Sequence, residues 1–507
     1  MKNKYLYFCF LTITALIPIS RITAQPAFRY EANWESIRAH YTVPEWFRDA
    51  KFGIFIHWGP YAVPAFMSEK YPPAIYKKSW NKGGMNPWKY HRENYGDPSD
   101  FGYKDFIPMF KAEKFDAEEW AELFRNSGAR YVVPVAEHHD GFAMYKSAHT
   151  RWNAADMGPG RDVLGELAVE VRKKGMKFGA SSHFALNWQY YNKDSANWDT
   201  NDPRYSDLYG KRKHEEDIDK PSREFLKFWW NRTTDIIDNY QPDIMWFDFG
   251  LDKPAFSALR PEILAYYYNK GLEWNKEVVF QDKNMHYEAY PEDLIVLDIE
   301  RGRMSDIFKF PWQTDTSVGH ISWGYIRNEN YKSSDYLIDE LIDIVSKNGC
   351  LLLNIGPKAD GTIPGEAKSI LMDIGDWLRI NGEAIYDTRP WKKYGEGPTK
   401  PNTGHLSERE NKAGTSEDFR FTARDDVLYV IGLSWPKDGN FVIRSLAKKN
   451  ELENRKIKNI TYLGGSSPLR WQQREEGLIL DLTFCPTDEY AYAFKVEFEE
   501  EIESPFQ

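Results

Sequence analysis

The stretch REFLKFWWNRTTDIIDNYQPDIMWFDFG, residues 223–250, contains a complete helix-then-strand unit. Residues 223–240 have the apolar spacing of an amphipathic helix, and residues 243–249 form a nearly continuous apolar run. A strand without polar alternation is typical of a parallel sheet that helices cover on both faces. The unit therefore predicts an α/β fold. It also places Asp248 at the end of a buried strand, as either a solvated terminus or a chemical group.

The same unit recurs along the first three quarters of the chain. Apolar runs at the following positions predict six further strands: 51–58, 130–139, 176–183, 277–283, 294–300 and 350–357. Helical patterns occur between several of them, at 116–128, 162–175, 261–274 and 334–349. This alternation predicts a (β/α)8-like TIM barrel. A doubly wound open sheet is the alternative, which the lack of a glycine-rich phosphate fingerprint after any strand disfavours.

The pattern changes after about residue 390. A polar stretch rich in Gly and Pro, residues 391–418, is interpreted as a linker or long loop. Short strand candidates separated by turn signals follow it, without a helical pattern, and predict a C-terminal antiparallel β-sandwich. We therefore expect the barrel over residues 25–392 and the sandwich over 393–507.

The first 24 residues have the features of a secretory signal peptide. Two lysines precede an apolar run too short to span a bilayer, and a small-residue cleavage site follows at Ala24. The sequence thus predicts a secreted or periplasmic protein, and no later run is long and apolar enough to cross a membrane. Cys350 and Cys485 remain after cleavage and are expected to be unpaired thiols.

Charge and composition restrict the partners. The chain has 66 Lys and Arg against 76 Asp and Glu, a net charge of -10, which argues against a nucleic-acid partner. Aromatic residues make up 16% of the chain. Such residues can stack on sugar rings, or they can simply fill a large core, and composition does not separate the two.

Polar residues cluster at the predicted carboxyl ends of the strands, where the active site of a TIM barrel lies. Any one of them could be an ordinary structural residue. Because the strand ends converge on one rim, the set is better explained as a functional site. Its members are His57, His138, His139, Asp140, His183, Asp248, Lys283, Glu300 and Asn354.

Two carboxylates on different strands suit glycoside hydrolysis. Asp248 and Glu300 supply one group that attacks or steadies the anomeric centre and another that protonates the departing oxygen. A metal site is disfavoured, because His138 and His139 are neighbours and residues adjacent on a strand point to opposite faces. Serine hydrolase chemistry is disfavoured because the G-x-S-x-G elbow is absent.

Three motifs resemble the alpha-L-fucosidases of glycoside hydrolase family 29. They are WFRDAKFGIFIHWGPYAVPAF, FDAEEWAELFRNSGARYVVPVAEHHDGF and VSKNGCLLLNIGPKADGTIP, which begin at residues 46, 115 and 345. The resemblance extends over nearly the whole chain after the signal peptide. It implies a (β/α)8-like barrel with a β-sandwich, no cofactor, and a retaining double displacement that releases L-fucose from a fucosylated oligosaccharide or glycoconjugate.

The resemblance also implies residue roles. Asp248 matches the family's nucleophile, and Glu300 is the best match to its general acid/base, with Glu288 and Glu292 as alternatives. The residues that correspond to the sugar pocket are His57, Glu69, His138, His139 and Trp246.

Three positions, Lys70, Ser181 and Lys283, depart from the family's pattern. Lys70 follows the sugar-binding glutamate where an aromatic residue is common, and Ser181 stands where a tyrosine binds the sugar. His183 lies close to Ser181, and Lys283 replaces an arginine. We expect His183 and Lys283 to line the pocket. These changes leave open a related retaining glycosidase for another hexose or deoxyhexose, and a carbohydrate-binding relative without turnover is a further alternative.

Overall fold

The structure is a computed structural model that describes most of the chain. The described residues are 28–210, 220–283, 289–408, 411–436, 440–448, 453–465, 469–483, 485 and 489–502. The predicted signal peptide and Glu288 lie outside them.

Eight parallel strands form a closed barrel in the order of the sequence, so the predicted barrel is confirmed. Most of their residues are buried, as the continuous apolar runs predict. The strands are β1 (Phe52–Ile56), β2 (Tyr131–Glu137), β3 (Lys177–Ser182), β4 (Ile244–Phe247), β5 (Val279–Asp282), β6 (Val296–Asp298), β7 (Trp312–Ser317) and β8 (Gly349–Ile355).

Helices precede, connect and follow these strands, and several were not predicted because they are only one or two turns long. They are α1 (Trp34–Arg38), α2 (Glu45–Ala50), α3 (Tyr71–Ala74), α4 (Pro87–Asn94), α5 (Ala117–Asn126), α6 (Val163–Lys173), α7 (Asn187–Tyr190), α8 (Ser206–Tyr209), α9 (Arg223–Tyr240), α10 (Leu259–Trp274), α11 (Ser334–Ser346) and α12 (Gly365–Asn381). Among the described residues, no helix combines the length and apolar character needed to cross a membrane.

The barrel has one strand that the sequence did not predict. Strand β7 has the sequence WQTDTS, with only one apolar residue, yet all six residues are buried. It pairs with β8 over its full length, from Trp312 opposite Gly349 to Ser317 opposite Asn354. Its polar side chains bond within the barrel and at its rim, so the hydrophobic pattern on which the prediction relied is absent here.

The C-terminal part contains two antiparallel sheets, in agreement with the predicted sandwich. A five-stranded sheet has the order β13-β16-β11-β10-β9, and a three-stranded sheet has the order β12-β15-β14. The strands are β9 (Arg389–Glu396), β10 (Phe419–Arg424), β11 (Val427–Gly432), β12 (Asn440–Ile443), β13 (Ile457–Tyr462), β14 (Arg470–Gln473), β15 (Leu478–Asp481) and β16 (Tyr492–Phe498).

Most of strand β9 lies in the stretch that was interpreted as a linker. It pairs with β10, so the C-terminal sheet begins at Arg389, and the predicted boundary between residues 392 and 393 falls inside this strand. Its sequence, RPWKKYGE, is rich in charge and contains both Pro and Gly, which explains why it resembles a loop. Cys350 and Cys485 are both free, as predicted.

The five-stranded sheet packs on two cores at once. Along β11, Tyr429 and Ile431 belong to the large cluster that fills the barrel region, whereas Leu428 and Val430 belong to the cluster inside the sandwich. This two-residue alternation places one face of the sheet on the barrel's helices and the other on the three-stranded sheet. The sandwich is therefore attached to the barrel through a buried apolar face.

Candidate active site

The carboxyl ends of the barrel strands bring the predicted polar residues to one rim. His57, His183, Asp248 and Lys283 each directly follow a strand, and Glu300 comes two residues after β6. Each is less than 10% exposed. Asp140 is also buried, but it accepts hydrogen bonds from the Tyr103 hydroxyl and the Phe142 N–H, so its role is in the fold.

Asp248 is held by two imidazoles and one ammonium group. Its Oδ2 lies 3.0 Å from His183 Nδ1 and 3.1 Å from His139 Nε2. Its Oδ1 faces Lys283 Nζ at 3.5 Å and has no hydrogen-bond partner among the described residues. One oxygen of the carboxylate is thus fixed in place, while the other remains available to a reacting atom.

The charges around Asp248 keep it ionised. Burial by itself would raise the pKa of this carboxyl, but the positive charge of Lys283 and the hydrogen bonds from His183 and His139 hold that pKa well below its usual value. Burial would likewise lower the pKa of Lys283, but the surrounding carboxylates raise it well above its usual value. The site therefore contains a buried carboxylate and a buried cation at neutral pH.

Lys283 joins the two candidate catalytic carboxylates. Its Nζ lies 3.5 Å from Asp248 Oδ1 and 3.2 Å from Glu300 Oε2. These two oxygens are consequently separated by at most about 6.7 Å, the sum of the two distances. The upper limit is compatible with the separation of about 5–5.5 Å between the carboxyl groups of retaining glycosidases.

His57 presents an unprotonated nitrogen to the pocket. The Asn354 amide nitrogen donates to Ser317 Oγ and to the Trp323 carbonyl, which makes Asn354 Oδ1 the acceptor for His57 Nδ1 at 2.8 Å. Burial lowers the pKa of His57 well below its usual value. The imidazole is therefore neutral, with its proton on Nδ1 and a lone pair on Nε2.

His183 and Ser181 form one unit. The Nδ1–H of His183 donates to Asp248, so its Nε2 accepts from the Ser181 hydroxyl at 3.1 Å. Ser181 is fully buried, and burial lowers the pKa of His183. Ser181 stands where the resemblance implies a tyrosine. Its hydroxyl group instead donates a hydrogen bond to His183, which lies beside the Asp248 carboxylate.

His138 and His139 both enter the pocket, which contradicts the premise that they face opposite sides. Strand β2 ends at Glu137, and the two histidines follow it in a turn, with ring centroids 4.8 Å apart. The Nδ1 atoms of both are buried and have no hydrogen-bond partner among the described residues. A ligand with several hydroxyl groups could bond to these atoms.

Among the residues that the structure describes, two sets of side chains have donor atoms close enough to hold a metal ion. One set is His57, His138 and His183; the other is His139, His183 and Asp248. Within each set the ligand atoms lie within 4.8 Å of one another. Nitrogen and carboxylate ligands of this kind suit zinc and related ions. The absence of a metal from the reaction remains a prediction.

Glu69 lies beside the pocket and supports an aromatic wall. Its Oε2 accepts from the backbone N–H of Trp323 at 3.0 Å and from the Ser322 hydroxyl at 3.3 Å. The Trp323 ring lies 5.2 Å from the His57 ring, and Lys283 Nζ is 5.0 Å from the Trp323 ring. Lys70, by contrast, is exposed on the rim.

Comparison with known proteins identifies the family to which this arrangement belongs. A family model described as alpha-L-fucosidase matches residues 18–383, and a model of the alpha-L-fucosidase C-terminal domain matches residues 412–497. The chain belongs to the alpha-L-fucosidase family. It is accordingly a glycoside hydrolase.

Relatives of this family align over most of the chain. Tissue alpha-L-fucosidase of Rattus norvegicus is 32% identical over 470 residues, which cover 90% of this chain and 89% of that protein. The tissue alpha-L-fucosidase of Homo sapiens is 31% identical, with 93% of each chain covered. The crystal structure of the Thermotoga maritima alpha-fucosidase in complex with fucose superposes with a TM-score of 0.71 at 30% identity. The superposed region covers 92% of this chain and 100% of the Thermotoga maritima chain.

The fold places Glu300 and Glu292, one of the two alternatives for the general acid/base, at opposite ends of the barrel. Glu292 precedes β6 and is partly exposed; the next residue, Asp293, pairs with Arg38, which comes before β1. Glu292 therefore lies towards the amino ends of the strands, opposite the pocket. Glu300 follows β6 and contacts Lys283, so it lies at the rim.

Three pocket residues were missing from the predicted site. Asp315 lies on the unpredicted strand β7, and its Oδ2 is 2.9 Å from Lys283 Nζ. Burial and the nearby Asp298 raise the pKa of Asp315 well above its usual value.

Trp246, which was predicted, donates its Nε1–H to Asp298 at 3.0 Å. Asp298 is visible in the strand LIVLDIE, but Trp323 lies in a connection after β7 where only its aromatic character could have drawn attention.

Proposed function

We propose that this fucosidase is an exo-acting enzyme that removes terminal alpha-L-fucosyl residues with retention of configuration. Asp248 is the nucleophile and Glu300 is the general acid/base. The observation that carries the proposal is the contact of one ammonium group, that of Lys283, with both carboxylates. It keeps the two groups close together and on the same side of the barrel.

The reaction proceeds in two displacements. First, Asp248 Oδ1 attacks the anomeric carbon, the bond to the departing oxygen breaks, and Glu300 gives that oxygen a proton. Glu300 then takes a proton from water, the water oxygen attacks the anomeric carbon, and the bond to Asp248 breaks. Fucose leaves, and both carboxyl groups return to their initial protonation states.

The histidines are suited to bind the hydroxyl groups of one sugar. The Nε2 atom of His57 accepts a hydrogen bond, and the unpartnered Nδ1 atoms of His138 and His139 supply further contacts. Glu69 and the walls formed by Trp246 and Trp323 complete the binding site. Because these groups are all buried, the pocket suits one terminal residue rather than the interior of a chain. The fucose bound by the Thermotoga maritima relative supports fucose as that residue.

The nucleophile is tested with Asp248→Ala. We expect the variant to lose turnover of 4-nitrophenyl alpha-L-fucoside while its circular dichroism spectrum stays unchanged. NMR of the product formed by the wild-type enzyme should show alpha-fucose before mutarotation. Near-normal turnover in the variant, or initial release of beta-fucose, would refute the assignment.

The acid/base is tested with three glutamate variants and added azide. In Glu300→Ala, azide should restore turnover of an aryl fucoside and yield alpha-fucosyl azide, because the anion displaces Asp248 from the fucosyl-enzyme and needs no general base. Glu292→Ala is the matched control on the other side of the barrel and should behave like the wild type. Restoration in Glu288→Ala instead of Glu300→Ala would transfer the role to Glu288.

A second candidate function is hydrolysis of another hexoside or deoxyhexoside. The contact between Ser181 and His183 favours it, because the resemblance implies a sugar-binding tyrosine at position 181. A panel of aryl glycosides distinguishes the two candidates. Higher kcat/KM on a galactoside than on the fucoside would favour the second.

We further propose that the protein is secreted or periplasmic after cleavage at Ala24. The lysines, the short apolar run and the small residue at Ala24 support this location. The test expresses the full chain in a bacterium and measures the mass of the exported protein. A mass that corresponds to a first residue of Gln25 is expected. Full-length protein retained in the cytoplasm would contradict the proposal.

A further inference from the structure

A short segment between β9 and β10 lies against the active site rather than beside its own sheet. In this segment, residues 404–408, three backbone N–H groups donate to the chain that follows β6. Gly404 donates to the Arg303 carbonyl at 2.9 Å, Leu406 to the Glu300 carbonyl at 2.7 Å, and Glu408 to the Arg301 carbonyl at 2.9 Å. The C-terminal part of the protein thus contacts the backbone of Glu300.

Glu408 anchors the segment. Its side chain is 3% exposed and accepts from Arg301 Nη1 at 2.6 Å, from Lys332 Nζ at 2.8 Å and from Thr316 Oγ1 at 2.5 Å. Buried hydrogen bonds between charged groups are among the stronger contacts in proteins. The position of the segment is therefore fixed by the barrel.

His405 contacts Glu300 and the residue that follows Asp248. Its Nδ1 accepts the backbone N–H of Glu300 at 3.0 Å. Its ring centroid lies 6.3 Å from that of Phe249, the residue after Asp248. Lys283 Nζ in turn lies 5.2 Å from the Phe249 ring. His405 thus borders the side of the pocket where Glu300 meets the departing oxygen.

Leu406 combines exposure with an unfavourable backbone conformation. Leu406 is 56% exposed, and its backbone φ is 60°, in the left-handed region. This region is costly for residues other than glycine. The hydrogen bond from its N–H to the Glu300 carbonyl holds it there. An apolar side chain is consequently presented to solvent next to Glu300.

We propose that residues 404–408 form the binding site for the leaving group, with His405 positioning Glu300 and Leu406 contacting an apolar ring face. The inference rests on the role of Glu300 in the proposed function. The ligand it fits is a leaving group with a flat apolar face, either the C–H face of a pyranose or an aryl ring. Binding specificity beyond the fucose would then be set by the C-terminal part of the chain.

The contact with Leu406 is tested with two substrates. Leu406→Ala should lower kcat/KM for a fucosyl disaccharide about fivefold, as expected for the loss of one apolar contact. It should leave alpha-L-fucosyl fluoride unaffected, because fluoride has no ring. Ile380→Ala, which truncates a 49% exposed residue on α12, is the matched control and should change neither value. Equal loss on both substrates, or no loss on the disaccharide, would overturn this part.

The role of His405 is tested with a pair of variants. His405→Leu should lower kcat/KM for the disaccharide at least about tenfold, because protonation of a poor leaving group depends on a correctly placed acid. Fucosyl fluoride, which needs little acid assistance, should lose much less. His405→Asn retains an acceptor where Nδ1 stands and should recover most of the activity. Absence of this recovery, with the folded state intact by circular dichroism, would overturn the positioning role.

These outcomes are distinct from a failure of the proposed function. If Glu300→Ala keeps wild-type activity on the disaccharide, the role of Glu300 is wrong. If Glu300→Ala is inactive and azide restores aryl fucoside turnover, but the Leu406 and His405 variants match the wild type, only the leaving-group site is wrong.

Discussion

At the scale of single residues, Lys283 has the densest set of charged contacts in the candidate site. Its ammonium group approaches Asp248, Glu300 and Asp315, all of which are buried. One cation shared by three carboxyl groups cannot neutralise them all. Burial and the neighbouring Asp298 raise the pKa of Asp315 well above its usual value, which favours the uncharged form of this third carboxyl group.

Removal of this charge should change the pH dependence of the enzyme. In Lys283→Met, the pKa of Asp248 should rise, because Lys283 is the strongest of the groups that lower it. The acidic limb of kcat/KM, which requires ionised Asp248, should therefore move to higher pH. We also expect kcat/KM at neutral pH to fall about 100-fold or more. Steady-state kinetics on an aryl fucoside between about pH 4 and about pH 8 provide the measurement.

Lys283→Arg is the control for this experiment. It retains the positive charge and the group found in the family's pattern, so its acidic limb should remain near that of the wild type. An unchanged acidic limb in Lys283→Met would show that Lys283 does not set the ionisation of Asp248.

Sequence alone identified most residues at the rim because they follow recognisable strands. His57, His183, Asp248 and Lys283 each come directly after a strand, and a barrel brings such positions together. Asp315 was missed because its own strand is polar. Contacts between distant segments, such as that of His405 with Glu300, leave no periodic pattern in the sequence and require the folded chain.

At the scale of elements, helix α11 connects the barrel to the sandwich through Asp343. This residue is 1% exposed and accepts contacts from Lys347 at 2.7 Å, Arg420 of β10 at 2.6 Å and Arg303 at 3.2 Å. Burial would raise the pKa of Asp343, but these three cations hold it well below its usual value. Asp343 therefore carries the negative charge that offsets a cluster of buried cations.

Loss of this charge should be costly for stability. Asp343→Asn leaves the ammonium and guanidinium groups around it without their shared anion, and we expect a decrease of about 3 kcal/mol or more in the free energy of unfolding. Urea denaturation followed by tryptophan fluorescence measures the change. Asp293→Asn, which removes a partner of the exposed Arg38, should have a much smaller effect. Equal effects of the two substitutions would mean that burial does not strengthen the Asp343 cluster.

Prediction of elements succeeded where the hydrophobic pattern was strong. The seven apolar runs all became barrel strands, whereas β7 and β9 were missed because their sequences are dominated by polar or charged residues. In both cases the strand is defined by its neighbours. β7 lies between β6 and β8, and β9 pairs along β10. Pairing with a strand distant in sequence can override weak local preference.

In the molecule as a whole, both faces of the five-stranded sheet contribute side chains to a buried core. Ile431 and Ala493 contribute to the barrel's core, and Trp377 of α12 donates its Nε1–H to the Ala491 carbonyl at 2.6 Å. Val430 and Phe494 contribute to the sandwich core on the other side. Separation of the two parts would expose the barrel-facing side of this sheet to water. Barrel and sandwich should therefore unfold as one cooperative unit.

A substitution confined to the sandwich core tests this cooperativity. Val430→Ala should lower stability by about 1–3 kcal/mol, the usual range for a truncated core side chain, and it touches the sandwich cluster rather than the barrel. Differential scanning calorimetry should show one peak, shifted to lower temperature. Ile431→Ala, on the opposite face of the same strand, should shift the same single peak. If the parts were independent, Val430→Ala would split the peak and leave the barrel transition unchanged. A single peak is expected because the sheet that carries Val430 also supports the barrel and leads into the segment that holds Glu300.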